Sequence, residues 1–226
     1  MKYSVIVVAA GKGTRTKLSY NKVFYNIGDG SIISNTLVPF DSDPDCERIV
    51  MAISPNEEEE FRKIIHSEKV VYVEGGATRQ ESGYLALKKV ETEYVMIHDG
   101  VRPFVSKQNL DDLKDALKDH DAALLMIPVI DTIKEVKDGY VVHTPNRSDY
   151  YSAQTPQAFK TSLIKECHEK GRNSTVIASD DAMLVELHSD VPIKVVEGSY
   201  DNIKVTTQRD LKQVHLIQGN SDLTDD

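Results

Sequence analysis

What most constrains this chain is a rhythm of short apolar runs separated by helical patterns. Residues 4–9, 48–53, 70–73, 94–97, 122–128 and 193–197 each form such a run, mostly unbroken and rich in Val, Ile and Leu. A strand wetted on one face alternates apolar with polar residues, whereas an unbroken run needs cover on both faces. Helices must therefore lie above and below. The reading is an α/β fold with a doubly wound, mostly parallel, Rossmann-like sheet. The segments between the runs agree. Leu110, Leu113 and Leu117 recur at helical spacing within 107–120, and 207–218 predicts a final helix. Ser54-Pro55-Asn56-Glu57 has the form of a helix start, with Ser54 as N-cap, Pro55 at the first helical position and Glu57 closing a capping box. A length of 226 residues suits one domain of this kind, spanning 1–226.

One segment departs from the rhythm. Residues 131–136 and 140–143 flank Lys137-Asp138-Gly139, a hairpin with Gly in its turn. On pattern alone it is either an arm for a partner subunit, covering about 131–152, or a surface excursion. The polar, acidic end, about 219–226, is expected to be disordered. No apolar stretch approaches the roughly 20 residues that cross a bilayer, so no membrane is expected as a partner. The first apolar run leads into Gly11-Lys12-Gly13 and reads as a strand, not a signal peptide. Cys46 and Cys167 cannot build a disulfide framework and suit a reducing cytoplasm. A formal net charge of −9 argues against nucleic acid as a partner. It leaves room for a small anion, because a local basic pocket can sit in an acidic protein.

The loop after the first run, Ala9-Ala10-Gly11-Lys12-Gly13-Thr14-Arg15, carries phosphate chemistry. Glycines after a buried strand let backbone approach a ligand, and N–H groups there suit an anion. Position 16 is Thr where a dinucleotide fingerprint needs a third Gly, and no Walker A spacing occurs, so both classes are disfavoured. Lys12, Arg15, Lys17 and Lys22 gather four cations within eleven residues. A second constellation is His98-Asp99-Gly100-Val101-Arg102-Pro103. Asp99 at the C-terminal edge of a strand lies where open α/β sheets bind ligands, and it could hold Mg²⁺ or a ribose hydroxyl. Arg102 could fork onto a phosphate. His98, inside an apolar run, reads as a core histidine. Asp180-Asp181 is equally a helix N-cap or a ligand pair, and Thr155-Pro156 reads as a turn. No general base stands out among the seven histidines.

Taken together, these segments resemble the 2-C-methyl-D-erythritol 4-phosphate cytidylyltransferase family of sugar-phosphate nucleotidyltransferases. The matching pieces include Ala9-Ala10-Gly11 with Arg15, Asn21-Lys22, Gly75-Gly76 with Arg79 and Ser82, His98-Asp99 with Arg102-Pro103, and Asp131-Thr132-Ile133-Lys134. Arg147, Gln154-Thr155-Pro156-Gln157, Asp180-Asp181-Ala182 and Asn202-Ile203-Lys204-Val205-Thr206-Thr207 complete the set. The resemblance implies a transfer of CMP from CTP to a sugar-alcohol phosphate with release of pyrophosphate, on the non-mevalonate route to isoprenoids. It implies a homodimer built through the arm. By the same resemblance Arg15 and Lys22 stabilise the transition state, and Arg147 and Lys204 position the substrate phosphate. Asp99, Arg102, Thr132 and Thr155 hold the sugar alcohol. Ala10, Gly11, Gly13, Gly76, Ser82 and Gly100 face the nucleotide, and Mg²⁺ bridges the CTP phosphates.

The rival reading is a ribitol-5-phosphate (pentitol-phosphate) cytidylyltransferase of wall teichoic acid synthesis. Val101-Arg102-Pro103-Phe104 and Pro145-Asn146-Arg147 lean that way, while Ala9-Ala10-Gly11 and Lys134 favour methylerythritol phosphate. A nucleotide-binding protein without catalysis is disfavoured by the presence of Arg15, Lys22, Arg147 and Lys204.

Overall fold

The computed structural model describes residues 1–11, 18 and 20–220. In chain order the strands are β1 (Tyr3–Val8), the short pair β2 (Asn26–Ile27) and β3 (Gly30–Ser31), β4 (Cys46–Ile53), β5 (Val70–Glu74), β6 (Tyr94–Asp99), β7 (Ala122–Pro128), β8 (Glu135–Lys137), β9 (Tyr140–His143), β10 (Tyr151–Lys160) and β11 (Lys194–Glu197). The helices are α1 (Ile32–Asp41), α2 (Glu58–Ile64), α3 (Arg79–Leu87), α4 (Lys107–Ala116), α5 (Thr161–Gly171), α6 (Asp181–His188) and α7 (Gln208–Asn220).

Seven strands form the central sheet in the order β11-β7-β10-β6-β1-β4-β5. Every neighbouring pair is parallel except the two that involve β10. The unbroken apolar runs have the cover that they require. Val5 and Val7 pack on one face with Phe40, Leu110 and Leu113. Ile6 packs on the other with Ala86, Leu87, Ile164 and Leu184. Each buried side chain of this size contributes about 1.5–3 kcal/mol by leaving water. A smaller cluster, Ile27, Ile32, Val205, Leu211 and Val214, seats α7. From β1 the chain builds outward through β4 and β5, then returns to place β6 on the opposite side of β1. The crevice between the C-terminal ends of β1 and β6 is thus a topological switch point, where sheets of this type bind ligands.

Three expectations change. The stretch Gln154-Thr155-Pro156-Gln157 is not a turn but lies within β10, between β6 and β7. Proline cannot donate to a ladder, which argues against a central strand in sequence. Here the pairing with β7 shifts register between Ala153 and Gln157, and the proline sits in that irregularity. Ser54 makes no side-chain cap bond. Pro55–Glu57 forms a 3₁₀ turn before α2, and the Glu57 carboxylate accepts from Asn21 Nδ2 at 3.0 Å. Helix α7 continues through Gly219 to Asn220, residues assigned to the disordered tail. The remainder of that tail lies outside the described residues.

The hairpin forms as expected. β8 and β9 make their own two-stranded sheet across a turn with Asp138 at φ 51° and Gly139 at φ 84°. Both turn residues need positive φ, which explains the Asp-Gly pair. Tyr151 and Ser152 already pair with Pro128 and Ile127, so the arm ends before them.

Candidate active site

A cavity of about 380 Å³ opens at the switch point. Ala9, Ala10 and Gly11 follow β1 on one side of it, and Asp99 and Val101 stand at the end of β6 on the other. Gly76, Ala77, Thr78, Arg79 and Ser82 wall it from the start of α3, and Val8, Lys22, Val23 and Lys204 complete the lining. Gly75 permits the approach of these walls, because a Cβ there would stand 2.3 Å from that of Ala10.

Asp99 is the hub. It is buried, and its two oxygens face separate cations: Oδ1 accepts from Arg79 Nε at 3.0 Å, and Oδ2 meets Lys204 Nζ at 2.7 Å, with Arg102 Nε at 3.7 Å. Burial alone would raise the pKa of this carboxyl. Arg79 and Lys204 override it and hold the group ionised, well below the usual carboxylate range. Lys204 owes its place to a loop zipped onto β6's end: Val205 N–H donates to Val101 O at 2.9 Å, and Arg102 Nη1 donates to Asn202 O at 2.6 Å.

Behind Asp99 the hydrogen bonds fix one another's direction. The Arg102 carbonyl can only accept, so His98 Nε2, 3.1 Å away, carries the proton. In the neutral ring Nδ1 then accepts from Thr155 Oγ1 at 3.0 Å, which leaves that oxygen to accept from Asp99 N–H at 3.0 Å. Burial pushes the His98 pKa down to about 4, in keeping with a neutral ring. His98 is the core histidine that its apolar run suggests.

A second layer was not visible as a unit in the sequence. Arg79 Nη1 donates to Asp181 Oδ2 at 2.6 Å, and His168 Nε2 lies 3.0 Å from Asp181 Oδ1. Burial opposes ionisation of Asp181, but Arg79 and His168 draw its pKa down to about 2. Asp180 is an N-cap, accepting from Met183 N–H at 2.9 Å, and Gln157 grips the same helix end through Asp180 Oδ2 and Ala182 N–H, each at 2.8 Å. The available signal was His168's place on the apolar stripe of α5, with Ile164, Cys167 and Gly171.

Of the residues singled out in sequence, Ala10, Gly11, Lys22, Gly76, Ser82, Asp99 and Lys204 line the cavity. Arg102, Thr155 and Gly100 are buried behind it, and the hydroxyl of Thr155 is occupied by Asp99 and His98. Thr132 and Arg147 are exposed on the arm, where Arg147 Nη1 donates to Ile130 O. Gly13 and Arg15 lie outside the described residues. Asp99 does not fit as a Mg²⁺ ligand in this arrangement: each of its oxygens already faces a cation, and a further positive charge would meet Arg79, Arg102 and Lys204. Among the described residues no group of three or more His, Cys, Asp or Glu could hold a metal ion.

The family model for 2-C-methyl-D-erythritol 4-phosphate cytidylyltransferase matches residues 3–219. A protein of that description from Bacillus velezensis is 41% identical over 216 residues, covering 93% of each chain. One from Bacillus cytotoxicus is 42% identical over 214 residues, 92% of this chain and 94% of its own. Among solved structures, the 4-diphosphocytidyl-2C-methyl-D-erythritol synthase of Anaerococcus prevotii superposes with a TM-score of 0.88 at 33% identity, covering 96% of both chains. The Thermus thermophilus cytidylyltransferase gives 0.79 at 30% identity over 96% of this chain and 98% of its own. With its switch-point cavity, its cation-ringed Asp99 and these relatives, the chain belongs to the 2-C-methyl-D-erythritol 4-phosphate cytidylyltransferase family.

Proposed function

We propose that this cavity joins CTP to 2-C-methyl-D-erythritol 4-phosphate, giving 4-diphosphocytidyl-2-C-methyl-D-erythritol and pyrophosphate, in the non-mevalonate supply of isoprenoid precursors. The observation that carries the reading is the convergence of Lys22, Asp99 and Lys204, from three distant segments, on one cavity walled by Ala10, Gly11, Gly76 and Ser82. The nucleophile is a phosphate monoester whose second pKa is about 6, so it is mostly dianionic at neutral pH. It needs no base, and the one histidine beside Asp99 is neutral, buried and bonded to backbone and Thr155. The obstacle is repulsion between anions and charge growing at the α-phosphorus. Positioned cations answer both. Lys22 and Arg15 act on the α-phosphate, and Lys204 orients the attacking phosphate. Asp99, with Arg102 buried behind it, forms the floor for the sugar alcohol, and Thr155 fixes the Asp99 backbone. Mg²⁺ fits this site only as a cation borne by the triphosphate itself.

The arm supports a homodimer. Val136, Tyr140, Val141 and Val142 project apolar surface at 58–79% exposure, and exposed apolar surface of this kind marks contact sites. Thr132 and Arg147 on that arm then serve the partner's cavity. Cys46 and Cys167 are both buried and unpaired, which suits a cytoplasmic location. No helix among the described residues is long and apolar enough to cross a membrane.

The test is pyrophosphate release from CTP with Mg²⁺ and each sugar phosphate in turn. Release with methylerythritol phosphate and little with ribitol 5-phosphate is expected. The reverse result would assign the chain to the pentitol-phosphate reaction.

A further inference from the structure

Glu81, in the first turn of α3, holds the peptide between Gly76 and Ala77 in one orientation. Its Oε2 accepts from Ala77 N–H at 2.7 Å. Gly76 N–H is taken as well, donating to Ser82 Oγ at 3.0 Å. The loop grips the helix in return: Glu81 N–H donates to Thr78 Oγ1 at 3.1 Å, and Ser82 Oγ donates to Thr78 O at 2.9 Å. Both N–H groups of the Gly76-Ala77 wall are therefore occupied from α3. In a trans peptide the N–H and C=O of one unit point to opposite sides. Drawing Ala77 N–H toward Glu81 aims the Gly76 carbonyl away from Glu81, and its oxygen stands 3.5 Å from Oγ of Ser82, a residue that lines the cavity. Glycine at 76 leaves the opposite orientation open to the backbone. What opposes it is Glu81, whose side chain lies directly against residue 76: a Cβ there would stand 2.2 Å from Glu81 Cγ. Ala77 itself has no polar side-chain atom, so backbone decides what this part of the wall offers.

We propose that Glu81 is a specificity-determining positioning residue: it keeps the Gly76–Ala77 peptide presenting an acceptor to the cavity, and so selects a pyrimidine with an exocyclic amine over one with a keto oxygen. The proposal rests on the reading of this cavity as the CTP site. Cytosine carries an amine donor at the position where uracil carries a carbonyl acceptor. A carbonyl wall pairs with the first and leaves two acceptors facing each other with the second. Polar mismatches of this kind discriminate more strongly than a missing methylene. Without an acceptor at position 81 the peptide can turn over and donate Ala77 N–H to the keto oxygen.

The experiment measures kcat/KM for CTP and for UTP, by pyrophosphate release with methylerythritol phosphate, in the unmodified chain and in E81A, E81M and E81Q. The CTP-to-UTP ratio should fall about tenfold in E81A and E81M, the value of one hydrogen bond, and stay near that of the unmodified chain in E81Q, whose amide oxygen still accepts. A loop that is merely loosened slows both nucleotides alike. An unchanged ratio in E81A and E81M overturns the proposal, and so does an equal fall in E81Q. If a variant turns over neither nucleotide, the ratio of CTP to UTP dissociation constants from calorimetry on the same protein is read in its place, and the same changes in ratio support or overturn the proposal. Failure of the unmodified chain to turn over CTP would instead overturn the reading of the cavity.

Discussion

Lys22 shows how one side chain can be set in place at the cavity by its local fold. It opens a 3₁₀ turn, Lys22–Phe24, whose N-cap Asn21 accepts from Val23 N–H at 3.3 Å and is itself tied to Glu57 at 3.0 Å. The residue is 7% exposed, yet it lines the cavity. An ammonium group held in place before the reaction acts like an oxyanion donor, because little reorganisation remains at the transition state. Lys22→Ala should lower turnover about 10²–10³-fold while leaving the circular dichroism spectrum unchanged. A near-normal rate would remove Lys22 from the chemistry. Residue type and spacing made Lys22, Asp99 and Lys204 legible, since a Gly loop with cations and a carboxylate at a strand end are local patterns. They did not reveal direction. Arg102 reads as a substrate clamp, but its guanidinium turns inward to Asn202 and Asp99, and only the fold determines which way such a side chain points.

At the scale of elements, β8 and β9 were legible because the Asp-Gly turn is a local requirement, whereas β10 was hidden by a proline that only a register shift can accommodate. The arm formed by β8 and β9 is a two-stranded sheet separate from the central one. All of its strand residues are exposed, and Tyr140 reaches 79%. A two-stranded hairpin is marginal in water on its own, so a partner surface would stabilise it. Light scattering at micromolar concentration should therefore give twice the 25.3 kDa chain mass. V141D combined with V142D should give the single-chain mass and lose activity as well, if Thr132 and Arg147 serve the neighbouring cavity. A monomeric mass for the unmodified chain would sink the arm reading.

The whole molecule carries a formal charge of −9, yet its cavity gathers Lys22, Arg79 and Lys204, with Arg102 behind them. Bulk charge was legible from composition, whereas its local reversal was legible only from the cations beside the Gly loop and from the family resemblance, because the cations arrive from segments far apart in the chain. The same burial that builds the site sets the acid limit of the fold. His98 is wholly buried and neutral, with its pKa pushed down to about 4, while a histidine in the unfolded chain titrates near 6.5. Between these values the unfolded state takes a proton that the native state refuses. Its contribution is therefore complete above pH 6.5 and is lost progressively as pH falls toward 4. The interval corresponds to about 3 kcal/mol. The carboxylates act later. Asp181, at about 2, and Asp99, lower still, stabilise the fold above the ordinary carboxylate range and lose that contribution as pH falls through their own values. Urea unfolding at pH 7.5, 6 and 4.5 samples the first stage and stays above the second. The unmodified chain should lose about 2.5 kcal/mol across that range through His98. His98→Gln, whatever its stability at pH 7.5, should show a decline shallower by that amount. Parallel declines in the two proteins would show that His98 is not the residue that sets the first stage.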